Sequence, residues 1–279
     1  MHNSNVQHKS PSGNAGDSRA SLLDIKHDLY IPELAQWLSV PSSGTYQTLF
    51  NVAKVYPDKV LLFKYKTPIT VQEKGWQITK KTPVFGSGIP DKKLIDSAIR
   101  RAKTKITDVI LCNDFQWFIT FTFNKDRQDL KKCKKKLTAW LNSQQAKWGK
   151  FHYLLVPEFH KDGVSVHFHG LFQGYNGLLS KTHIQQNGRT VYNIKSYQGG
   201  FTTAVKIDNK NKVANYVKKY LTKDMPHIAG QKRYWTSQGI KRPQKFLNVS
   251  ISQEQALPKP IHSFDNLTIY DISDIILTY

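Results

Sequence analysis

The segment from Phe151 to Phe172, FHYLLVPEFHKDGVSVHFHGLF, constrains the fold more than any other part of the chain. It contains two apolar runs of strand length joined by HKDG. An Asp-Gly pair between two such runs is typical of a tight β-hairpin. The sequence therefore predicts two antiparallel strands that are neighbours in a sheet.

Two histidines lie on the second of these strands, where His167 and His169 flank Phe168. Because successive side chains of a strand point to opposite faces of its sheet, both imidazoles share one face and Phe168 points into the core. This spacing suits two ligands of one metal ion.

The length of the hairpin turn decides which residue of the first strand faces the histidines. With Asp162 and Gly163 as a two-residue turn, Glu158 lies directly opposite His167. A three-residue loop would instead shift the register by one residue and turn Glu158 to the other face. His160 shares the predicted face and is a reserve ligand nearer the turn.

His167, His169 and Glu158 are therefore the predicted ligands of a Mg²⁺ or Mn²⁺ ion, with open positions for a phosphate. The set lacks the thiolates of a structural zinc site. A His-x-His pair alone is more often a surface pair or a packed pair than a metal site, so the hypothesis needs independent support.

Support comes from NYVKKYLTK, residues 215–223, which contains two tyrosines four residues apart, each followed by a lysine three residues later. On a helix, Tyr216, Lys219, Tyr220 and Lys223 fall within one sector. An amphipathic helix with tyrosines at the edge of the core would show the same pattern, but the histidine pair favours a chemical role. A phenol, with a pKa near 10, attacks a phosphate only where cations stabilise its phenolate.

The rest of the chain alternates patterns of strands and helices. The predicted elements are a helix over Asp91–Asp108, a strand over Trp117–Phe123, a helix that ends near Gly149, a strand over Phe201–Ile207 and a helix from Asp208 or Asn209 to Pro226. Residues 173–200 form a variable insert rich in Gly, Asn and Gln.

Composition limits the class of partner and the compartment. Lys and Arg number 41 against 20 Asp and Glu, and this net charge of +21 favours nucleic acid as the partner. Cys112 and Cys133 have no CxxC partner, so no disulfide framework is implied. Without an apolar run of about 20 residues or a signal-peptide pattern, we expect a cytoplasmic protein with no membrane partner.

Three segments, in this order, resemble motifs of the replication initiators of the HUH endonuclease superfamily (histidine, hydrophobic residue, histidine). WFITFTF resembles the first motif, HFHGLF the second and NYVKKYLTK the third. The paired tyrosines resemble the two-tyrosine class found in rolling-circle phages and plasmids. The resemblance covers about residues 95–250.

The resemblance implies an α+β fold with a central antiparallel sheet of about five strands, flanking helices and the histidines on a central strand. It implies metal-dependent nicking of single-stranded or extruded origin DNA in a bacterial host, covalent attachment of the 5′ end and later strand closure. Carried over by position, it assigns the metal ligands, the nucleophiles and their supporting lysines to His167 and His169, to Tyr216 and Tyr220, and to Lys219 and Lys223. The third ligand varies in the family, so Glu158 rests on the turn geometry.

We expect four parts along the chain: a disordered tail over residues 1–21, an N-terminal extension over 22–110, an endonuclease domain over 111–252 and a C-terminal tail over 253–279. No GxxxxGK[ST] phosphate loop occurs, so we expect a separate host helicase and DNA polymerase as partners.

Three alternatives remain open. A transposase or conjugative relaxase would share the catalytic core, and a metal-dependent hydrolase would activate water and leave no covalent adduct. A non-catalytic nucleic-acid-binding protein would use the aromatic residues and lysines, but leaves the paired histidines and tyrosines unexplained. The tyrosines are interpreted as two equivalent nucleophile units, whose order of use stays open.

Overall fold

The computed structural model describes residues 46–72, 92–222, 224–226, 232–249 and 257–274. Within these ranges the protein is a mixed α+β structure with two antiparallel sheets and three helices. The helices are α1 (Lys92–Cys112), α2 (Leu130–Trp148) and α3 (Lys210–Lys219). The strands are β1 (Tyr46–Val55), β2 (Val60–Gln72), β3 (Trp117–Phe121), β4 (His152–Phe159), β5 (Val166–Gln173), β6 (Ser180–Gln186), β7 (Arg189–Asn193), β8 (Thr202–Lys206), β9 (Trp235–Thr236), β10 (Gln244–Leu247), β11 (His262–Ser263) and β12 (Leu267–Asp271). The tail predicted over residues 1–21 lies outside the described residues.

The larger sheet has seven strands in the order β6-β7-β8-β3-β5-β4-β9. It exceeds the expected size of about five strands partly because the segment predicted as a variable insert forms the β6–β7 hairpin. The turn of this hairpin is Asn187-Gly188, and both residues adopt left-handed backbone conformations, with φ of 52° and 74°. Such a pair twists in the same sense as its flanking strands, which closes a tight hairpin.

Helix α2 covers the face of the larger sheet that Phe168 enters. Buried strand residues and buried helix residues form one core cluster there, among them Ile119, Phe121, Phe168 and Phe172 from the sheet and Cys133, Leu137 and Leu141 from the helix. The Asp129 side chain caps the start of α2 by accepting the N–H of Lys132. Gly149 ends it with φ of 87°, so the predicted stop is confirmed.

Helices α1 and α3 cover the opposite face, on which the histidines lie. Their buried side chains share a core cluster with three residues of β4 and β5, namely Leu154, Val156 and Leu171. The helices contribute Ile106, Val109 and Ile110 from α1 and Ala214 and Val217 from α3. Because α1 and α3 cover only part of this face, the ends of β4 and β5 near their hairpin carry polar side chains beside the helices.

The smaller sheet has the order β10-β1-β2-β12-β11 and draws its strands from both ends of the described chain. The segment predicted as a weakly patterned C-terminal tail contributes β11 and β12 to it. Tyr56, which follows β1, and Leu61 of β2 pack on Leu111 and Cys112 of α1, so α1 contacts both sheets. None of the helices in the described ranges is long and apolar enough to cross a bilayer.

Candidate active site

The β4–β5 hairpin brings three predicted ligands together. Glu158 of β4 pairs directly with His167 of β5, as the predicted register required. His169 follows two residues later on the same face, where its ring is almost completely buried. The three side chains form a cluster whose ligand atoms lie within 4.8 Å of one another.

The turn that holds this register differs from the predicted two-residue turn. The N–H of Gly163 donates to the carbonyl of His160 at 2.8 Å, and the N–H of His160 donates to the carbonyl of Ser165 at 2.6 Å. The loop therefore has four residues, 161–164, and keeps the same pairing because the two extra positions are added symmetrically.

The side chain of Asp162 satisfies the backbone of this loop. Its carboxylate accepts hydrogen bonds from the N–H groups of Val164 and Ser165 and from the hydroxyl of Ser165. These bonds lower the pKa of Asp162 to about 2, so it stays ionised near neutral pH. The longer loop thus has no unpaired donor at these two positions.

Hydrogen bonds join the three ligand side chains directly. Oε2 of Glu158 lies 2.7 Å from Nε2 of His167 and 2.8 Å from Nε2 of His169. An octahedral site with ligands at about 2.1 Å has edges of about 3 Å, so these separations need only a small expansion to admit an ion. Nδ1 of His169 lies 3.2 Å from the hydroxyl of Thr120, a partner that can hold its proton while Nε2 binds a metal. The donor set therefore fits a divalent cation.

The charge states within the cluster follow from burial and pairing. Burial raises the pKa of Glu158, but the hydrogen bonds and charges of His169 and His167 outweigh it and hold this pKa below its usual value. Burial lowers the pKa of His169, partly offset by Glu158. A carboxylate beside a neutral imidazole is the state in which both groups bind a cation.

Helix α3 places the first tyrosine of the motif above this cluster. The helix begins after Asn209, whose side chain accepts the N–H of Lys212, as one of the two predicted caps. It ends at Lys219, so the prediction that it continues to Pro226 is wrong. The N–H groups of Tyr220 and Leu221 bond to carbonyls three residues back, which tightens the last turn and turns the fully buried Leu221 into the core.

Both tyrosine rings contact the histidine cluster or one another. The Tyr220 ring stacks on His169, with centroids 3.9 Å apart and planes within 10°. Tyr216 meets Tyr220 edge to face at 5.2 Å and Phe118 at 5.5 Å. Tyr216 is 42% exposed, whereas Tyr220 is partly buried. Burial raises the pKa of Tyr220, and its hydrogen bond to Tyr216 and the charges of Tyr216 and Glu158 raise it further. The surroundings of the two tyrosines are therefore unequal.

Comparison with known proteins gives one match. The model of a family described as replication-associated protein ORF2 matches residues 116–225. The match supports a replication initiator. The matched segment runs from β3 past Tyr220 and contains the three ligands, both tyrosines and all three initiator motifs. No curated protein and no solved structure gives a match.

The remaining predicted residues of the initiator motifs are less closely tied to the cluster. Nζ of Lys219 lies 6.0 Å from the centre of the Tyr216 ring, at the outer limit of a cation–π contact. Lys223 lies outside the described residues. The reserve ligand His160 is exposed, with its ring centre 5.8 Å from that of His167.

Two neighbours of the cluster were missed as site residues at the level of sequence. Thr120 pairs with His169 across β3 and β5, and Phe118 stacks on His169 with centroids 5.4 Å apart. The signal was present in WFITFTF, because its alternation places Phe118 and Thr120 on the face opposite to Ile119 and Phe121. What the pattern did not give was which neighbouring strand carries the histidines.

Proposed function

We propose that this protein is a rolling-circle replication initiator of the HUH class that nicks and joins single-stranded origin DNA through a tyrosine nucleophile. The observation that carries the proposal is the stack of Tyr220 on His169, which puts a candidate nucleophile beside a cluster of two imidazoles and one carboxylate. The family match over residues 116–225 supports the same role.

The order of strands supports the finer fold assignment to an HUH nuclease. The histidines lie on β5, which has β3 on one side and β4 on the other within the seven-stranded sheet. Helix α3 packs over this face and carries Tyr216, while Tyr220 follows as its C-cap. Histidines on a central strand, facing a tyrosine-bearing helix, are the arrangement that the resemblance implies.

Glu158, His167 and His169 would hold the divalent ion, Mg²⁺ or Mn²⁺. When bound there, the ion would withdraw charge from the non-bridging oxygens of a phosphate. Thr120 would fix the ring orientation of His169 by accepting the Nδ1 proton.

The tyrosine performs a transesterification in which no bond energy is lost to hydrolysis. Its phenolic oxygen forms a bond to phosphorus, and the bond between phosphorus and the 3′ oxygen breaks. The phenolic proton ends on the leaving oxygen, which becomes a free 3′-hydroxyl, and the 5′ end of the downstream strand stays on the enzyme as a phosphotyrosine. Attack by a 3′-hydroxyl on that phosphotyrosine reverses the step and joins the strand.

A second tyrosine serves the end of the cycle. The tyrosine that carries DNA cannot attack again, and the regenerated origin junction must be cut before the first round can be closed. Tyr216 and Tyr220 have ring centres 5.2 Å apart, so both reach the same ligand cluster. A host helicase and a host DNA polymerase would supply unwinding and synthesis in the bacterial cytoplasm.

A nicking assay tests the proposal. Single-stranded DNA of the origin of the replicon that encodes the protein is labelled at either end, incubated with protein and Mn²⁺ and run on a denaturing gel. We expect 3′-labelled DNA to shift as a covalent protein–DNA band, and 5′-labelled DNA to give a shorter product that a polymerase can extend. The double variant Tyr216→Phe/Tyr220→Phe abolishes both products, whereas Tyr192→Phe, on β7, serves as a matched control.

Two outcomes would contradict the mechanism. Cleavage without a covalent band would indicate a metal-dependent hydrolase, and normal nicking by the double variant would remove the tyrosines from the chemistry. Binding without any nick would favour the non-catalytic binding protein.

A further inference from the structure

Phe201 exposes its ring on a backbone that is held in place. The residue directly precedes β8 and is 76% exposed. Its N–H donates to the hydroxyl of Thr122 at 2.9 Å, and its carbonyl accepts the N–H of Thr122 at 2.9 Å. The exposure of this large apolar side chain is therefore not caused by a loosely attached loop.

The two glycines before Phe201 fix the same segment. A Cβ atom on Gly200 would overlap the carbonyl oxygen of Thr122, so only glycine allows the backbones to approach this closely. The carbonyl of Gly199 accepts the N–H of Asn124 at 2.8 Å. The geometry presents the Phe201 ring at a defined place beside β3.

That place is in line with the ligand cluster. Phe121 of β3 pairs with Thr202 of β8 and with Phe168 of β5. Moving each register by one residue sets the next row of side chains on the opposite face.

This next row runs Phe201, Thr122, His167, Glu158 across four adjacent strands. At about 4.8 Å between strands, the Cα atoms of Phe201 and His167 are about 10 Å apart. An exposed aromatic residue therefore shares its face with the ligands, at a distance that suits a nucleotide close to the cleaved phosphate.

Positive charge lies beside the same row. The loop after β3 carries Lys125 and Arg127, both exposed, and the carbonyl of Arg127 accepts the N–H of Val166 at the start of β5. The acidic residue between them, Asp126, is neutralised by ion pairs to Lys132 and Lys136. Aromatic rings combined with cations are how proteins bind single-stranded nucleic acid.

We infer that Phe201 stacks on a nucleobase of the bound single strand and so positions the phosphate at the ligand cluster. The inference rests on the proposed function for its substrate. Because every base offers a flat face, the contact fixes the path of the strand and leaves its sequence to other residues.

The test compares two single-stranded probes by fluorescence anisotropy in EDTA, where no cleavage occurs: oligo-dT of twelve nucleotides, and an abasic strand of the same length that keeps the phosphates but has no bases. We expect Phe201→Ala to weaken oligo-dT binding about tenfold and to leave binding of the abasic strand within about twofold. Phe201→Trp should retain wild-type affinity. Ile184→Ala, which removes a 64% exposed apolar side chain from β6, should change neither affinity.

Equal oligo-dT affinity of Phe201→Ala and wild type would overturn the inference and leave the ring to a protein contact. Equal weakening on both probes would overturn it too, because stacking requires bases. The absence of oligo-dT binding by the wild type would also contradict it. Since the measurement needs neither metal nor tyrosine, failure of the nicking assay leaves its result interpretable, and normal nicking with unchanged binding would remove only the role of Phe201.

Discussion

A buried ion pair between Lys54 of β1 and Asp108 of α1 attaches the smaller sheet to the helix that also covers the candidate active site. Lys54 is 6% exposed and Asp108 5% exposed. Nζ of Lys54 lies 2.9 and 3.0 Å from the two carboxylate oxygens, and the hydroxyl of Tyr56 donates to Asp108 at 2.8 Å. We predict that Asp108→Asn strongly destabilises the fold.

The size of the effect follows from burial. An exposed ion pair contributes about 0–1 kcal/mol, because water screens its charges. Removal of one partner of a buried pair leaves the other charge without compensation and costs about 3–5 kcal/mol. In Asp108→Asn, Lys54 keeps its charge and its buried position, so we expect a loss of about 3–5 kcal/mol in the free energy of unfolding.

Urea unfolding followed by circular dichroism measures this loss. Lys136→Met is the matched control, because Lys136 pairs with Asp126 at an exposed position, and it should lower the free energy by less than about 1 kcal/mol. The double variant Lys54→Met/Asp108→Asn should lose about 2 kcal/mol less than the sum of the single variants, since no unpaired charge remains. Additive losses, or a loss below about 1 kcal/mol for Asp108→Asn, would refute the reasoning.

Three further predictions concern the candidate site. Glu158→Gln should lower Mn²⁺ affinity at least about tenfold by calorimetry, whereas His160→Gln should change it less than about twofold; the reverse order would make His160 the third ligand. Tyr220→Phe should slow the first cut more than Tyr216→Phe in a single-turnover nicking assay, because only the Tyr220 ring stacks on a ligand, and equal losses would contradict this. Gly200→Ala should lower the free energy of unfolding by about 1–3 kcal/mol in urea titrations, because its Cβ overlaps a backbone carbonyl; an unchanged midpoint would show that the segment can move.

Local signals were sufficient for the elements that build the site. Asp129 and Gly149 bound α2 at the two ends that their side chains and backbone freedom favour. The alternation in β3 and β5 placed Phe168 in the core and both histidines on the other face. The register of the β4–β5 hairpin was confirmed although the turn was different, because symmetric addition of loop residues preserves the pairing of Glu158 with His167.

Contacts between distant segments could not be predicted from local patterns. In the smaller sheet, Val52 pairs with Leu247 and Leu62 with Tyr270, so each pair joins the two ends of the described chain. Neither end of the chain carries a signal for the other, so this sheet was read as an extension and a tail. The β6–β7 hairpin was missed for another reason: its Asn187-Gly188 turn is readable, but the mostly exposed β6 lacks the alternation of a half-buried strand.

The end of α3 shows how tertiary structure separates two residues that look alike in sequence. Equal spacing of each tyrosine and its lysine suggests two equivalent units, and no glycine or proline interrupts residues 215–223. The buried Leu221 nevertheless draws the chain inward, so the helix stops at Lys219 between the two tyrosines. Tyr220 then lies flat on His169, while Tyr216 stays exposed one turn earlier. Unequal surroundings favour a fixed order of use, in which Tyr220 makes the first cut and Tyr216 receives the strand that closes the cycle.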